Sequence, residues 1–346
     1  MSWDALRLDV DQRDLVAMLD DVAADRGPLV GEDPAATRAL VQTLASLGIW
    51  TIGVAESAGG GGADEQMTTV VLERLGRHWP SLGWAAVQAH AAALALERAA
   101  EAGDLLAGLH DGSVAVAVVA GEAEHVHLRV EGGRLRGRVA RVDTAHESPA
   151  LLVVQVDGSA TLLRPEQVTT QVVVVTGLDG SLTRSIEVDV LVEDALVLDG
   201  VDVAAVRRTL DLGVAAVAAG IAAAAAAAAQ SYAEQRHQFG GPLTGIPTVR
   251  AALREQRAGA TLILAAVSAA PVGQDAAHAV AELACARAVD VAASALQSHG
   301  GYGYLDEYAA GTRLRDAVTL RSAASLRSGA RAGAARLVGD LVQEDA

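Results

Sequence analysis

The chain has 346 residues, of which 51% are hydrophobic, and its 43 acidic against 27 basic residues give a net charge of −16. This length exceeds what one hydrophobic core usually serves, so two or three domains are expected, and the hydrophobic content excludes a disordered chain. The negative charge, with no segregated basic patch in the sequence, argues against binding to nucleic acid or to anionic membrane surfaces.

The N-terminal third is predicted to be helical. Residues 1–20 carry charges every few positions and lack the apolar stretch of a signal peptide, so export is not indicated. Asp33, followed by a proline, predicts a helix start, because a capping oxygen precedes a proline in the first turn. Residues 70–76 have helical spacing, and Gly76 at their end is interpreted as a helix stop. A long apolar helix is expected over residues 84–101.

The pattern changes its period near Val114. Short β-branched runs, several of them alternating between apolar and polar residues, are separated by Gly and Asp turns. The runs occupy residues 114–119, 125–130, 151–155, 172–175 and 186–192. They predict a middle domain built from β-strands.

Helical patterns return near Val203 and continue to the end of the sequence. Four long segments with short connections predict an antiparallel bundle. These segments cover about residues 204–237, 247–270, 274–298 and 314–342. Residues 212–229 are long enough to span a membrane, but they are mostly Ala, so a buried bundle helix is the better interpretation.

Several short motifs carry a resemblance to a known family. In the bundle, residues 236–240 read RHQFG, residues 297–304 read QSHGGYGY and residues 313–317 read RLRDA. In the N-terminal part, residues 47–60 contain LGIW and then GVAESAGG, and residues 72–76 read LERLG. Together these motifs resemble those of the acyl-CoA dehydrogenases, and the resemblance covers nearly the whole chain.

The resemblance implies a fold, a cofactor and a reaction. The fold is α+β, with an N-terminal helical domain (residues 1–111), a middle β barrel or sandwich (residues 112–201) and a C-terminal four-helix bundle (residues 202–346). The implied cofactor is FAD, and the implied reaction is the α,β-desaturation of an acyl-CoA thioester. An oligomer is also expected, because a subunit of this family contacts its neighbour's flavin.

In this family the arginine of the first bundle motif reaches across a subunit boundary to the pyrophosphate of the neighbour's FAD. A diphosphate needs a fixed cation with planar donors, and a guanidinium meets its oxygens bidentately. At the second bundle motif the backbone comes close to the nucleotide, and glycines leave room for it. The cofactor-binding residues implied by the resemblance are Arg236, Gln238, Phe239, Gln297, Gly300 and Gly301.

The chain departs from the family where a subunit holds its own flavin and substrate. The family has T-E-P-x-x-G-S-D at the start of the β domain, whereas residues 118–125 read VVAGEAEH and lack its hydroxyl donors. The family places an aromatic residue or Ile, then Thr or Ser, against the flavin ring. Residues 141–144 instead read RVDT, although a shifted register would bring Thr144 into play. A buried Arg or Asp there disturbs a neutral flavin pocket unless it is paired.

The catalytic base of the family is a carboxylate that removes the α-proton of the thioester. Counting from the RLRDA motif, its usual position is occupied by Ala324, so no catalytic residue is predicted there. Some members place the base on the first bundle helix, near Leu210. Asp211 is the acidic candidate at that place, and it is interpreted as a solvated or capping residue.

No metal site is predicted. His125 and His127 lie on one strand face, but no carboxylate or cysteine at ligand spacing completes a site, so both are interpreted as surface histidines. Cys285 stands alone, which excludes a disulfide within the chain and fits a reducing cytoplasm.

These matches and departures lead to one prediction with two alternatives. The chain is predicted to be a half-site subunit of a heteromeric acyl-CoA dehydrogenase, α2β2 or another tetramer. It would share FAD with a homologous catalytic partner that acts on an acyl-CoA substrate. Pairs of this kind in the family often act on bulky esters, such as degraded steroid side chains. The first alternative is a self-sufficient homomeric flavoenzyme, with Asp211 as base or with chemistry that needs no base. The second is a flavin-free scaffold that has kept the fold alone.

Overall fold

A computed structural model describes residues 8–155, 157–269 and 273–326. The first part of the chain is helical, as predicted. Its helices are α1 (Val10–Arg26), α2 (Pro34–Ser46), α3 (Glu65–His78), α4 (Pro80–Leu96) and α5 (Gly103–Asp111). The Asp33 carboxylate caps α2 by accepting from the amides of Ala35 and Ala36 at 3.1 and 3.0 Å, which confirms the predicted start.

The β part consists of short strands that follow α5. They are β1 (Val116–Ala120), β2 (Val126–Glu131), β3 (Arg134–Val142), β4 (Ala150–Val154), β5 (Ala160–Leu163), β6 (Val168–Val172), β7 (Arg184–Leu191) and β8 (Leu196–Leu198). In the described residues they form one sheet in the order β1-β4-β5-β8 and a second in the order β2-β3-β7-β6. The pairing of β1 with β4 is parallel, and the other pairs are antiparallel. The strand predicted over residues 172–175 is misplaced, because β6 ends at Val172.

The first sheet is buried on both faces. One face packs on the helices through residues such as Val118 and Leu152, and the other packs on the second sheet through residues such as Val119 and Leu151. Side chains alternate between the two faces of a strand, so both sets must be apolar. This explains why β1 and β4 read as almost continuous hydrophobic runs.

The C-terminal part begins with α6 (Val203–Gln235), which has 33 residues. A small hairpin of β9 (His237–Gln238) and β10 (Gly241–Pro242) follows, and then α7 (Pro247–Ser268), α8 (Gln274–His299) and α9 (Ala310–Ala323). In α6, 78% of the most apolar window is buried within the molecule, as expected for a central bundle helix. The last predicted helix, residues 314–342, falls on α9 in its first part, and residues 327–342 lie outside the described residues.

Glycines let α3 and α6 cross at close range. A β-carbon at Gly76 would lie 2.3 Å from the carbonyl oxygen of Val217, and one at Gly220 would lie 2.1 Å from the carbonyl oxygen of Glu73. The interpretation of Gly76 as a helix stop is therefore wrong, since α3 continues to His78. Gly76 is needed because any side chain there would push the backbones of two helices apart.

The RLRDA motif joins α9 to the β part. Asp316 is buried, and its carboxylate accepts a hydrogen bond from the amide of Leu178 at 2.8 Å. Burial raises the pKa of Asp316 to about 6, against the opposing effect of that hydrogen bond. The loop that carries Leu178 is thus fixed on the bundle, which helps to close the space between the two parts of the chain.

Candidate functional site

A cavity of about 100 Å³ lies between the β part and the helices; we call it the interdomain cavity. Its walls come from α4, from β1 and the turn after it, from the end of β3, from α6, from α8 and from the end of α9. Ala324 and Asp211 both line it. The structure therefore brings together the two positions at which the family's base was sought, one of which carries no carboxylate.

Ion pairs line the interdomain cavity at residues 118–125 and 141–144, where the sequence departs from the family motifs. Arg207 of α6 contacts the carboxylate of Glu122 through both terminal nitrogens, at 2.6 and 2.9 Å. Arg141 contacts Asp143 in the same bidentate way, at 2.6 and 3.0 Å. The arginine and aspartate in RVDT are thus paired with each other, so their burial is compensated within the chain.

Asp143 is the centre of a hydrogen-bonded group. Its carboxylate also accepts from the hydroxyl of Thr183 at 2.6 Å, and its backbone carbonyl accepts from Nε2 of Gln88 at 2.5 Å. Oε1 of Gln88 in turn accepts from the amide of Val118 in β1 at 3.3 Å. Thr144 is buried outside the interdomain cavity, so the register does not bring its hydroxyl into the site. These groups fix α4, β1 and β3 to one another.

Replacing Asp143 with Ala should lower the free energy of unfolding by about 2–3 kcal/mol, because it leaves the half-buried Arg141 guanidinium without its partner. Urea denaturation monitored by circular dichroism measures this change in the free energy of unfolding. Asp189→Ala is the matched control, because Asp189 pairs with Arg134 at the surface, where such pairs contribute little. Equal effects of the two substitutions would contradict the assignment of Asp143 to a structural core.

Asp211 is not solvated, which corrects the interpretation made from its position. It lies within α6 with 8% of its surface exposed, and its Oδ1 lies 3.1 Å from Nδ1 of His278 in α8. Nε2 of His278 lies 3.0 Å from the carbonyl oxygen of Leu326. The hydrogen bond with Asp211 raises the pKa of His278 above its ordinary value, against the opposing effect of burial.

His125 also differs from its interpretation as a surface histidine. It is half-buried, it lines the interdomain cavity, and its Nδ1 lies 3.0 Å from Oγ of Ser325. Burial lowers the pKa of His125, so the ring is neutral near pH 7. His127 is exposed on β2, as expected. Within the described part of the chain, no cluster of histidine, cysteine and carboxylate side chains could hold a metal ion.

The first bundle motif forms the hairpin at the end of α6. Arg236 caps the helix, and the two residues at the hairpin tip, Phe239 and Gly240, have φ angles of +55° and +87°. Glycine adopts this left-handed conformation without strain, and the tip turns the chain by a two-residue connection. Phe239 is 92% exposed and Gln238 is exposed as well.

The second bundle motif lies beside the first. Gln297 is exposed near the end of α8, and it is followed by Gly300 and Gly301, where an added β-carbon would meet no atom within 4 Å. The Arg236 guanidinium lies 5.0 Å from the centre of the Tyr302 ring, a cation–π contact that fixes its direction. Arg236 thus joins the two motifs that contain the six predicted cofactor residues, and we call the surface formed by these two motifs the bundle end. None of the six lines the interdomain cavity.

An aromatic cluster supports the bundle end, and it was not predicted from the sequence. Tyr232 stacks on His299 with ring centres 4.6 Å apart, and Tyr302 and Tyr308 contact Tyr232 edge-on or at a tilt. Tyr232 lies one helical turn before Arg236 on α6, a spacing that could have indicated its supporting role. The cluster joins the two motifs although they are far apart in sequence.

Comparisons with known proteins agree with this architecture. The family model described as "Acyl-CoA dehydrogenase, N-terminal domain" matches residues 10–103, and the one described as "Acyl-CoA dehydrogenase, C-terminal domain" matches residues 205–324. The chain belongs to the acyl-CoA dehydrogenase family. No curated protein matches it significantly in sequence. The α+β fold expected from the resemblance is confirmed.

Solved acyl-CoA dehydrogenase structures share the fold over most of their length. Butyryl-CoA dehydrogenase from Megasphaera elsdenii is 22% identical with a TM-score of 0.74, and the match covers 96% of this chain and 99% of that one. The Tcur3481–Tcur3483 steroid acyl-CoA dehydrogenase is 22% identical with a TM-score of 0.72, covering 97% and 98%. A glutaryl-CoA dehydrogenase from Mycobacterium smegmatis in complex with FADH2 is 15% identical with a TM-score of 0.78, covering 94% and 95%.

Proposed function

We propose that this chain is a subunit of an FAD-dependent acyl-CoA dehydrogenase that lends flavin contacts to a homologous catalytic partner. The observation that carries the proposal is the separation of its two sites. The bundle end displays the residues that a subunit offers to a neighbour's flavin. The interdomain cavity, where a subunit would hold its own flavin ring and thioester, has Ala324 at the base position and paired charges along its wall.

The length of α6 keeps the two sites apart. Asp211 in the cavity and Arg236 at the bundle end are 25 residues apart on this helix, which corresponds to about 37 Å at the helical rise per residue. The short ribityl chain that links the diphosphate of FAD to its ring cannot cover that distance. A flavin bound by Arg236 would therefore place its ring outside this chain's interdomain cavity, which supports a ring pocket in another subunit.

The residues at the bundle end fit the diphosphate and adenosine half of FAD. Among the described side chains, no carboxylate forms an ion pair with the Arg236 guanidinium, and Tyr302 orients it. Phe239, at the tip of the hairpin that follows, offers an exposed ring, and the glycines at 300 and 301 leave backbone open to a ligand. Bound FAD would accept the hydride from the substrate, while this chain's own part would be to hold the nucleotide by charge and shape.

The interdomain cavity fits the flavin ring of FAD less well than the bundle end fits its diphosphate and adenosine half. A neutral ring gains little from a wall of Arg141, Asp143, Glu122 and Arg207 whose charges are already satisfied by one another. The hydroxyl donors of the family motif are missing from residues 118–125. The partner would therefore supply the ring pocket, the base and the acyl-CoA site, and a bulky ester such as a steroid acyl-CoA is a candidate substrate for the pair.

A self-sufficient homomeric flavoenzyme is the second candidate, and the presence of Asp211 in the interdomain cavity favours it. Against it stands the contact of Asp211 with His278, because the Asp211 oxygen at 3.1 Å from that ring is already engaged within the chain. A base for α-proton removal must instead lie within hydrogen-bond reach of the substrate proton.

Co-expression with homologous acyl-CoA dehydrogenase chains from the same genome tests the proposal. The chain purified alone should be colourless and inactive, whereas the co-purified pair should be yellow and should oxidise acyl-CoA. Native mass spectrometry and the flavin absorbance per assembly give the composition and the flavin count. A yellow homomer with acyl-CoA dehydrogenase turnover would exclude the partner role.

A further inference from the structure

Two histidines hold the chain where it borders the interdomain cavity. Oγ of Ser325 lies 3.0 Å from Nδ1 of His125, which belongs to the β part. The carbonyl oxygen of Leu326 lies 3.0 Å from Nε2 of His278 in α8. We call Ser325 and Leu326 together the latch.

The backbone of the latch depends on these contacts. Ser325 has a φ angle of +52°, in the left-handed region that residues with a β-carbon rarely adopt. Such a conformation persists where the surrounding contacts over-determine it. The latch is therefore held by two kinds of contact, which are the turn that ends α9, where the Ser325 amide donates to the Ser322 carbonyl at 3.2 Å, and the contacts with the two histidines.

The latch separates two spaces. Ser325, Leu326 and His125 line the interdomain cavity, of about 100 Å³, and they also line a neighbouring cavity of about 460 Å³. The smaller space has room for only a few water molecules. If the latch moved, the two spaces would join into one of the size that small-molecule sites have.

Counting donors and acceptors around His278 defines the state that closes the latch. Nδ1 faces the Asp211 carboxylate, and Nε2 faces the Leu326 carbonyl. Both partners accept hydrogen bonds, so the ring satisfies both of them only when it carries a proton on each nitrogen. A neutral ring donates to one of the two and leaves the other without its bond.

The charged groups that line the two cavities beside His278 and the latch come from three helices and from the β part. Asp211 and Arg207 belong to α6, Asp275 and Glu282 to α8 and Arg321 to α9, and the β part contributes Glu122, Glu124, Arg141 and Asp143. Carboxylates outnumber cations among these groups, and the effects of Asp211 and Glu282 both raise the pKa of His278. The surroundings therefore favour the imidazolium.

We propose that the latch is a pH-sensitive gate, closed by the His278 imidazolium and released when the ring loses its second proton. Release frees Leu326 and opens the interdomain cavity to the neighbouring one. The gate is a property of this chain alone and does not depend on the flavin-lending role. Because folding raises the pKa of His278, closure is complete below the ordinary histidine pKa of about 6.5 and is lost as the pH rises through the raised value.

Hydrogen exchange measured by mass spectrometry on the full chain tests the gate. Protection of peptides covering residues 310–326, corrected for the intrinsic effect of pH, should fall by about tenfold or more between about pH 6 and pH 9, as expected for loss of a hydrogen bond to a charged group. In His278→Gln this protection should be low at both pH values. His127→Gln, a change at an exposed histidine, should behave like the wild type.

Two results would overturn the proposal. One is wild-type protection with unchanged pH dependence in His278→Gln. The other is a ¹⁵N-histidine NMR spectrum in which His278 carries a single ring proton at pH 6. If His278→Gln unfolds, Asp211→Asn serves instead: removal of the carboxylate should move the loss of protection to lower pH, and an unmoved transition would equally refute the gate.

Discussion

Arg236→Ala is expected to strip most of the flavin from the assembly that contains this chain. The guanidinium stands at the bundle end with its direction set by Tyr302, and in the proposed function it would be the fixed cation for the diphosphate. A hydrogen bond to a charged group is worth about 1.5–3 kcal/mol, so flavin affinity should fall at least about tenfold. Flavin absorbance per mole of co-purified complex, followed by FAD titration of the stripped complex, measures the loss.

Two further variants separate this effect from a general loss of charge. Arg254→Ala removes an exposed arginine of α7 and should leave the flavin content unchanged. Arg236→Lys keeps the charge but loses the planar donor geometry, so its affinity should lie between those of the wild type and the alanine variant. Full flavin occupancy in Arg236→Ala would refute the lending role and would favour the flavin-free scaffold.

Gly220→Ala should destabilise the protein by about 3 kcal/mol or more, the upper range for inserting a group into a packed core. The new β-carbon would lie 2.1 Å from the carbonyl oxygen of Glu73 and 2.7 Å from the amide nitrogen of Arg77. Both are backbone atoms of α3, so relief requires two helices to move apart. The midpoint of urea denaturation at unchanged slope measures the effect.

Gly103→Ala is the control for this substitution. Gly103 lies at the start of α5 with helical φ, and a β-carbon there meets nothing within 4 Å. Alanine restricts the unfolded chain and favours the helix, so this variant should be as stable as the wild type or slightly more stable. A destabilisation of similar size in both variants would show that the close crossing of α3 and α6 is not the cause.

Elements governed by local patterns were accessible from the sequence. The cap at Asp33 and the apolar runs of β1 and β4 depend on neighbouring residues, and both appear as predicted. Gly76 was misinterpreted because a glycine within a helical pattern has two explanations. It can end the helix, or it can admit another backbone, and the second depends on Val217 in a distant helix.

The prediction of the site was limited in the same way, because it too depends on contacts between residues that are distant in the sequence. The two bundle motifs were recognised one by one, and their meeting at Tyr302 is a tertiary contact. The sequence around Asp211 gives no sign of its burial, because its partner His278 is 67 positions away. The pairing of Arg141 with Asp143 was open to local reasoning, since the two residues point to the same strand face, two positions apart. The packing of α4 on this pair, through Gln88, depends on a tertiary contact and could not be predicted from local sequence.

The division of the buried hydrophobic residues between two cores has a consequence for how the protein unfolds. One continuous core contains side chains from α1 through α9 and from the inner face of the first sheet, and the second core lies between the two sheets. Because α6 is central to the larger core, the N-terminal helices cannot detach from the bundle without exposing it. We therefore expect the N-terminal helices and the bundle to unfold together, and the bundle end is attached to this larger core through α6 and α8.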